Sequence, residues 1–117
     1  SCGFVGTQVA AILAIANPMM DNLMDASTEI NHAKHVRDFS NRLKAIVTKD
    51  NLEHMCKVYQ SEKGYFKERT FVSIFKRPDS VAIVWKQSFT KAEGEFVAQM
   101  VLIKLNGLYL VDHVMVF

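Results

Sequence analysis

The chain has 117 residues, half of them hydrophobic and 22% charged, with 14 Lys and Arg against 12 Asp and Glu for a formal charge of +2. That balance excludes a disordered tail, and five Gly and two Pro without a low-complexity tract exclude a linker or a fibrous chain. The near-neutral charge removes the electrostatic basis for nucleic-acid binding, and the length fits one domain with its own core.

Residues 4–16 are uncharged and mostly apolar. As a helix this stretch rises only about 20 Å, short of a bilayer core, so it predicts a short helix packed on the domain, a partner or a membrane surface. Asn17-Pro18 then reads as the cap and first turn of a new helix. Residues 1–17 are therefore set apart as an apolar N-terminal segment, and 18–117 as a single α+β domain. From Pro18 to about Val47, apolar residues recur every three or four positions, from Met19 and Leu23 to Leu43 and Ile46. This stripe is long for a small domain, and Ser27-Thr28 marks a break in it. Asp50 with Glu53 forms a capping-box variant that opens a further helix. Leu52, Met55, Cys56 and Tyr59 share its buried face, where a free Cys behaves as a small hydrophobe.

After a loop at Ser61–Gly64 the period changes to two. Thr70–Phe75 is β-rich and ends at the turn Arg77-Pro78-Asp79-Ser80. Val81, Ile83, Trp85, Gln87 and Phe89 alternate with lighter residues, which predicts a strand with Trp85 and Phe89 in the core. Phe96–Leu105 is a nearly continuous apolar strand. Asn106-Gly107 is a hairpin signal, and Leu108–Phe117 closes the sheet. The expected fold is α+β: N-terminal helices packed on a curved, roughly four-stranded antiparallel sheet.

The segment with Trp85 and Phe89, the polar turn at 91–95, and Val101-Leu102-Ile103-Lys104-Leu105-Asn106-Gly107-Leu108-Tyr109-Leu110-Val111 carry a resemblance. Phe71–Phe117 resembles the C-terminal hairpins of cystatin-like and nuclear-transport-factor-2-like domains, especially small bacterial envelope lipoproteins of unknown function. Tyr109 stands where Trp is common. The resemblance implies a sheet curled around a helix with an open-ended pocket. In such families the fold serves enzymes, ligand binders or periplasmic assembly modules. Ser1-Cys2-Gly3 also resembles the end of a bacterial lipoprotein signal peptide. That makes Cys2 a lipidation candidate, tethering the domain to a membrane on the periplasmic side of the cell envelope. An ordinary cysteine near the start of the chain is the equal alternative.

Chemistry is sparse. His113 lies in an apolar strand, with Tyr109, Val111, Met115 and Phe117 expected on its face and Asp112 on the other. A lone His there is a structural residue more often than a base, although Tyr109 and His113 are the candidate pocket pair. His32 and His35 lack a third ligand at helical spacing, so no metal is expected. No phosphate loop, nucleophile elbow or His-Glu-x-x-His motif occurs, and no cofactor is implied. Residues 1–31 carry three acidic and no basic side chains, whereas 32–69 carry nine basic and five acidic, read as a solvated helix face. Met19, Met20 and Met24 widen the apolar face of their helix. With the 4–16 segment, they favour a non-enzymatic protein-interaction module, a lipoprotein subunit of a secretion or surface assembly. Its partner-binding candidates are Phe4, Val9, Ile12, Leu13, Met20 and Met24, and its partners are other envelope proteins. Two alternatives remain: a small-ligand-binding or enzymatic cone, which a closed interior would oppose, and a pilin-like subunit, which a continuous helix from 4 to 47 would support.

Overall fold

A computed structural model describes residues 3–117. Four helices, α1 (Val9–Glu29), α2 (His32–His35), α3 (Asn41–Ile46) and α4 (Lys49–Lys63), precede four strands, β1 (Phe66–Lys76), β2 (Ser80–Phe89), β3 (Phe96–Leu105) and β4 (Leu108–Val116). The strands form one antiparallel meander in the order β1-β2-β3-β4, and the helices pack on it as the sequence leads one to expect. Among the described residues no helix is long and apolar enough to cross a membrane.

The period-2 pattern of β2 sets the inner face. Val81, Ile83, Trp85, Gln87 and Phe89 are buried, and the intervening residues are not. Trp85 pairs with Ala98, a large side chain beside a small one, and Ile83 with Met100, two of similar size. Asn106 and Gly107 have φ of 51° and 81°, the left-handed pair that a two-residue hairpin needs. Against this face lies α1, whose Ile12, Ala16, Met20, Leu23 and Ser27 recur at steps of three or four and are all buried.

Several element boundaries differ from expectation. Pro18 lies inside α1 and does not open a helix. It sits on the solvent side, and the carbonyl it leaves without a partner belongs to Ala14, also exposed, where water can bond it. Asn17 caps nothing; its Oδ1 accepts the Trp85 indole N–H at 3.2 Å. The boundary drawn after residue 17 thus falls within a continuous helix. The long stripe ends at Ile30, which turns left-handed at φ 54°, three residues after Ser27. There is accordingly no helix from 4 to 47 of the kind a pilin-like subunit needs. The chain then drops onto the edge of β4. Ser40 N donates to Val111 O at 2.9 Å and Val111 N to Asp38 O at 2.7 Å, covering an edge that would otherwise be open.

Ser40 also caps α3 by accepting from Leu43 N, and its hydroxyl donates to Asp112 at 2.7 Å. Arg42 pairs with the same carboxylate. Burial pushes the Asp112 carboxyl up, but the bonds from Ser40 and Arg42 outweigh it, and the group ends below its ordinary value. The cap of α4 is Thr48, not Asp50, with Thr48 Oγ1 accepting from Asn51 N, while Glu53 pairs with Lys57. The helix continues to Lys63, through most of the expected loop. Gly64 follows at φ 83°, so close to Thr90 that a Cβ would lie 2.2 Å from its hydroxyl.

Phe4, Ile12, Met20 and Met24, expected to face a partner, are buried in the core, with Val9 half-buried and Leu13 packed against that core. Their apolar surface is packed against the sheet. Deleting residues 4–16 should therefore abolish cooperative unfolding in urea rather than leave an intact sheet. Trp85→Ala should cost about 3–5 kcal/mol in the same measurement.

Candidate functional site

Where α1 and α4 diverge from the end of the sheet they leave a cleft of about 490 Å³. Its walls are Met20 and Met24 of α1, Leu52, Cys56 and Tyr59 of α4, Phe66 and Phe89 of β1 and β2, and Val114 and Val116 of β4. Met55, expected on the buried face of its helix, stands on the rim, 60% exposed. The aromatic side is continuous: Tyr59, Phe66 and Phe89 are mutual neighbours at centroid distances of 5.1 to 6.2 Å. An apolar hollow of this size is within the range that encloses small organic molecules, about 300–1,000 Å³.

Polar groups converge on it from two sides. Ser27 on α1 bonds the Tyr59 hydroxyl at 2.7 Å and lies 3.3 Å from Cys56 Sγ, cross-linking α1 to α4. Burial pushes the Cys56 thiol up, against the opposing effect of the bonds to Ser27 and Tyr59, so it remains protonated at neutral pH. Burial likewise raises Tyr59. From the far side comes His35, edge-on to Phe39 at 5.2 Å, with a buried Nδ1 that has no hydrogen-bond partner among the described residues. Burial, and then the neighbouring His32, lower its pKa to about 4. With a neutral imidazole and an un-ionised thiol, the cleft can hold an apolar body and bond one or two polar atoms on it.

The candidate pair Tyr109 and His113 is not brought together. A bulge in β4 between the pairs Leu102–Val111 and Val101–His113 shifts the alternation by one. Tyr109 therefore stays on the inner face, 5.9 Å from Phe4, whereas His113 turns outward and accepts from Gln99 Nε2 at 3.3 Å. Neither lines the cleft. His32 donates Nε2–H to Val47 O at 2.9 Å and so is separated in role from His35. Among the described residues no group of three or more His, Cys, Asp or Glu is placed to hold a metal ion. Cys2 lies outside the described residues. The sequence reading missed Ser27, taken as a helix break, although its spacing from Met20 and Leu23 continues the buried row. The signal for His35 is weaker, because only the tertiary fold turns it into a cleft.

No family model and no curated protein matches the chain. Solved structures do. An NTF2-like protein of unknown function from Shewanella baltica OS155 superposes with a TM-score of 0.60 at 11% identity, over 96% of this chain and 97% of that one. A protein of unknown function with a cystatin-like fold from Methylobium petroleophilum PM1 gives 0.52 at 14% identity, over 89% and 75%. A SEC-C motif containing protein from Rhodopseudomonas palustris gives 0.59 at 11%, over 83% and 74%. At these identities the likeness shows the fold alone: helices on a four-stranded antiparallel sheet, shared with NTF2-like and cystatin-like proteins of unknown function.

Because His35 is held neutral in the folded chain, the unfolded chain binds its proton first as the pH falls. Stability should be flat in this group above pH 6.5 and decline between 6.5 and about 4, by at most about 3 kcal/mol. His35→Leu should flatten that limb in urea melts across pH, and the His35 imidazole should titrate near 4 by NMR.

Proposed function

We propose that the protein is a non-enzymatic binding domain whose ligand is a small, largely apolar molecule with one or two polar atoms, seated in the cleft between α1, α4 and the end of the sheet. The observation that carries this is the coincidence, in the lining of one apolar hollow, of a satisfied polar cluster at Ser27, Cys56 and Tyr59 with His35, whose buried Nδ1 has no partner among the described residues. The apolar walls supply affinity and the imidazole orients the polar end, the usual division of labour in small-molecule sites. His35 is a donor or an acceptor according to tautomer, so the ligand's polar end is a hydroxyl or a carbonyl.

A second reading is favoured by a different surface. The outer face of the sheet is uncovered and apolar at its margins, with Phe75 and Phe117 each about half exposed. In this reading the domain is an interaction subunit of the bacterial cell envelope, docking an envelope protein on that face and tethered to the membrane through a lipid on Cys2. It takes the interaction surface from the sheet instead of residues 4–24. Mass spectrometry of the native N-terminus tests the tether: a diacylglycerol mass on Cys2 supports it, and an unmodified Cys2 removes it.

For the first reading, NMR titration with decanol is the direct test. Saturable shifts confined to Leu52, Cys56, Tyr59 and Val114 are expected. Met55→Glu, a change at the exposed rim, should weaken binding at least tenfold without moving the urea midpoint. Absence of saturable shifts, or shifts confined to the outer sheet face, would contradict the cleft as the binding site.

A further inference from the structure

A second, polar groove of about 350 Å³ opens on the other side of Met24 and Phe66, between α1 and the start of β1. Its helix wall presents Asp21, Asp25 and Thr28, its strand wall Lys67 and Arg69, and Gln87 of β2 lies at its base. The groove exists because β1 carries an extra residue there. Phe66 pairs with Phe89 and Arg69 with Gln87, so three steps on β1 oppose two on β2. The Gln87 side chain fills the interrupted ladder, its Nε2 donating to Glu68 O at 3.1 Å and to Ser88 O at 3.0 Å. Both partners are carbonyls, so the amide orientation is fixed and Oε1 is left over. Gln87 is 1% exposed, and its Oε1 has no partner among the described residues. A buried acceptor without a donor is costly, and it calls for a group that brings an N–H or O–H.

The charges around it are ordered. Arg69 is neutralised locally by Asp21, at 2.6 Å, and held over the Trp85 ring. That leaves Asp25 on the helix side and Lys67 on the strand side, neither of them in an ion pair among the described residues. A negative wall thus faces a positive one, with a bare acceptor at the base and an apolar floor of Met24 and Phe66. We propose that this groove binds a free amino acid. Its ammonium is held by Asp25 and Gln87 Oε1, its carboxylate by Lys67, and its side chain lies on Met24 and Phe66. A simple anion would meet Asp25 and the bare Oε1, and a simple cation would meet Lys67, so a zwitterion answers both walls at once. This site shares no polar residue with the cleft and stands whether or not the cleft binds a ligand.

The test is NMR titration of the whole chain with L-leucine, against isovalerate and isoamylamine as the same skeleton without the amine or without the carboxylate. L-leucine should give saturable shifts at Asp25, Thr28, Lys67 and Gln87, with each half-ligand at least tenfold weaker. Asp25→Asn, at an exposed position that cannot disturb the core, should weaken L-leucine at least tenfold and leave the urea midpoint unchanged. Gln87→Leu should do the same to binding if it folds. No saturable shifts with L-leucine would overturn the assignment. Equal binding of either half-ligand, unchanged binding by Asp25→Asn, or shifts confined to Cys56 and Leu52 of the cleft would each overturn the assignment.

Discussion

Everything in this fold depends on the burial of one side of α1 against the inner face of β2 and β3. Ile12, Ala16, Met20 and Leu23 share a core with Val81, Ile83, Trp85, Met100 and Leu102, and none of those strands can hide its apolar face without the helix. A four-stranded meander exposes its inner residues on its own, and a helix this apolar has no favourable place in water. Each supplies the cover the other lacks. Pro18 is tolerated because this packing, not the local hydrogen-bond ladder, holds the helix together.

Directional contacts then fix how the helix lies. The Trp85 indole bonds Asn17 midway along α1, and Arg69 reaches from β1 to Asp21 one turn later. Such bonds add little net stability each, but a buried indole N–H left unpaired would be expensive, so they select one rotation and one register. Farther along, Ser27 ties α1 to Tyr59 and Cys56 of α4. The two helices are thus joined near the end of α1 by a polar clasp, and the space they leave above Phe66, Phe89 and Val114 is the cleft. Binding surface and core are therefore produced by the same set of contacts. On the other side of Met24, the bulge in β1 makes the second, polar groove.

The sheet was legible in the sequence and the helical layer only partly. Strands β2 to β4 announce themselves by alternation and by Asn106-Gly107, because a half-buried strand repeats every two residues and a two-residue turn needs left-handed backbone. The chain gave no comparable sign that Pro18 would sit inside a helix, since Asn-Pro is as good a start as it is an interior kink, and only the solvent exposure of Ala14 and Pro18 decides. Phe4, Ile12, Met20 and Met24 read as surplus apolar surface because the area of sheet waiting for them is a tertiary quantity. His113 was put on the wrong face because a one-residue bulge, invisible in composition, inverts everything beyond it. The resemblance implies a pocket and the sequence offers Tyr109 and His113 for it, but the cleft is lined instead by Ser27, His35, Cys56 and Tyr59, which meet only once the helices are assembled.

Packed in this way, α1 belongs to the same cooperative unit as the sheet. Native-state hydrogen exchange measures this residue by residue. Amides from Ala16 to Ser27 should exchange only through global unfolding, with the same free energy and denaturant dependence as those of Ile83, Trp85 and Met100. Exchange of the α1 amides through a separate low-energy opening, with the strands still protected, would contradict it and would return residues 4–24 to the role of an independent segment.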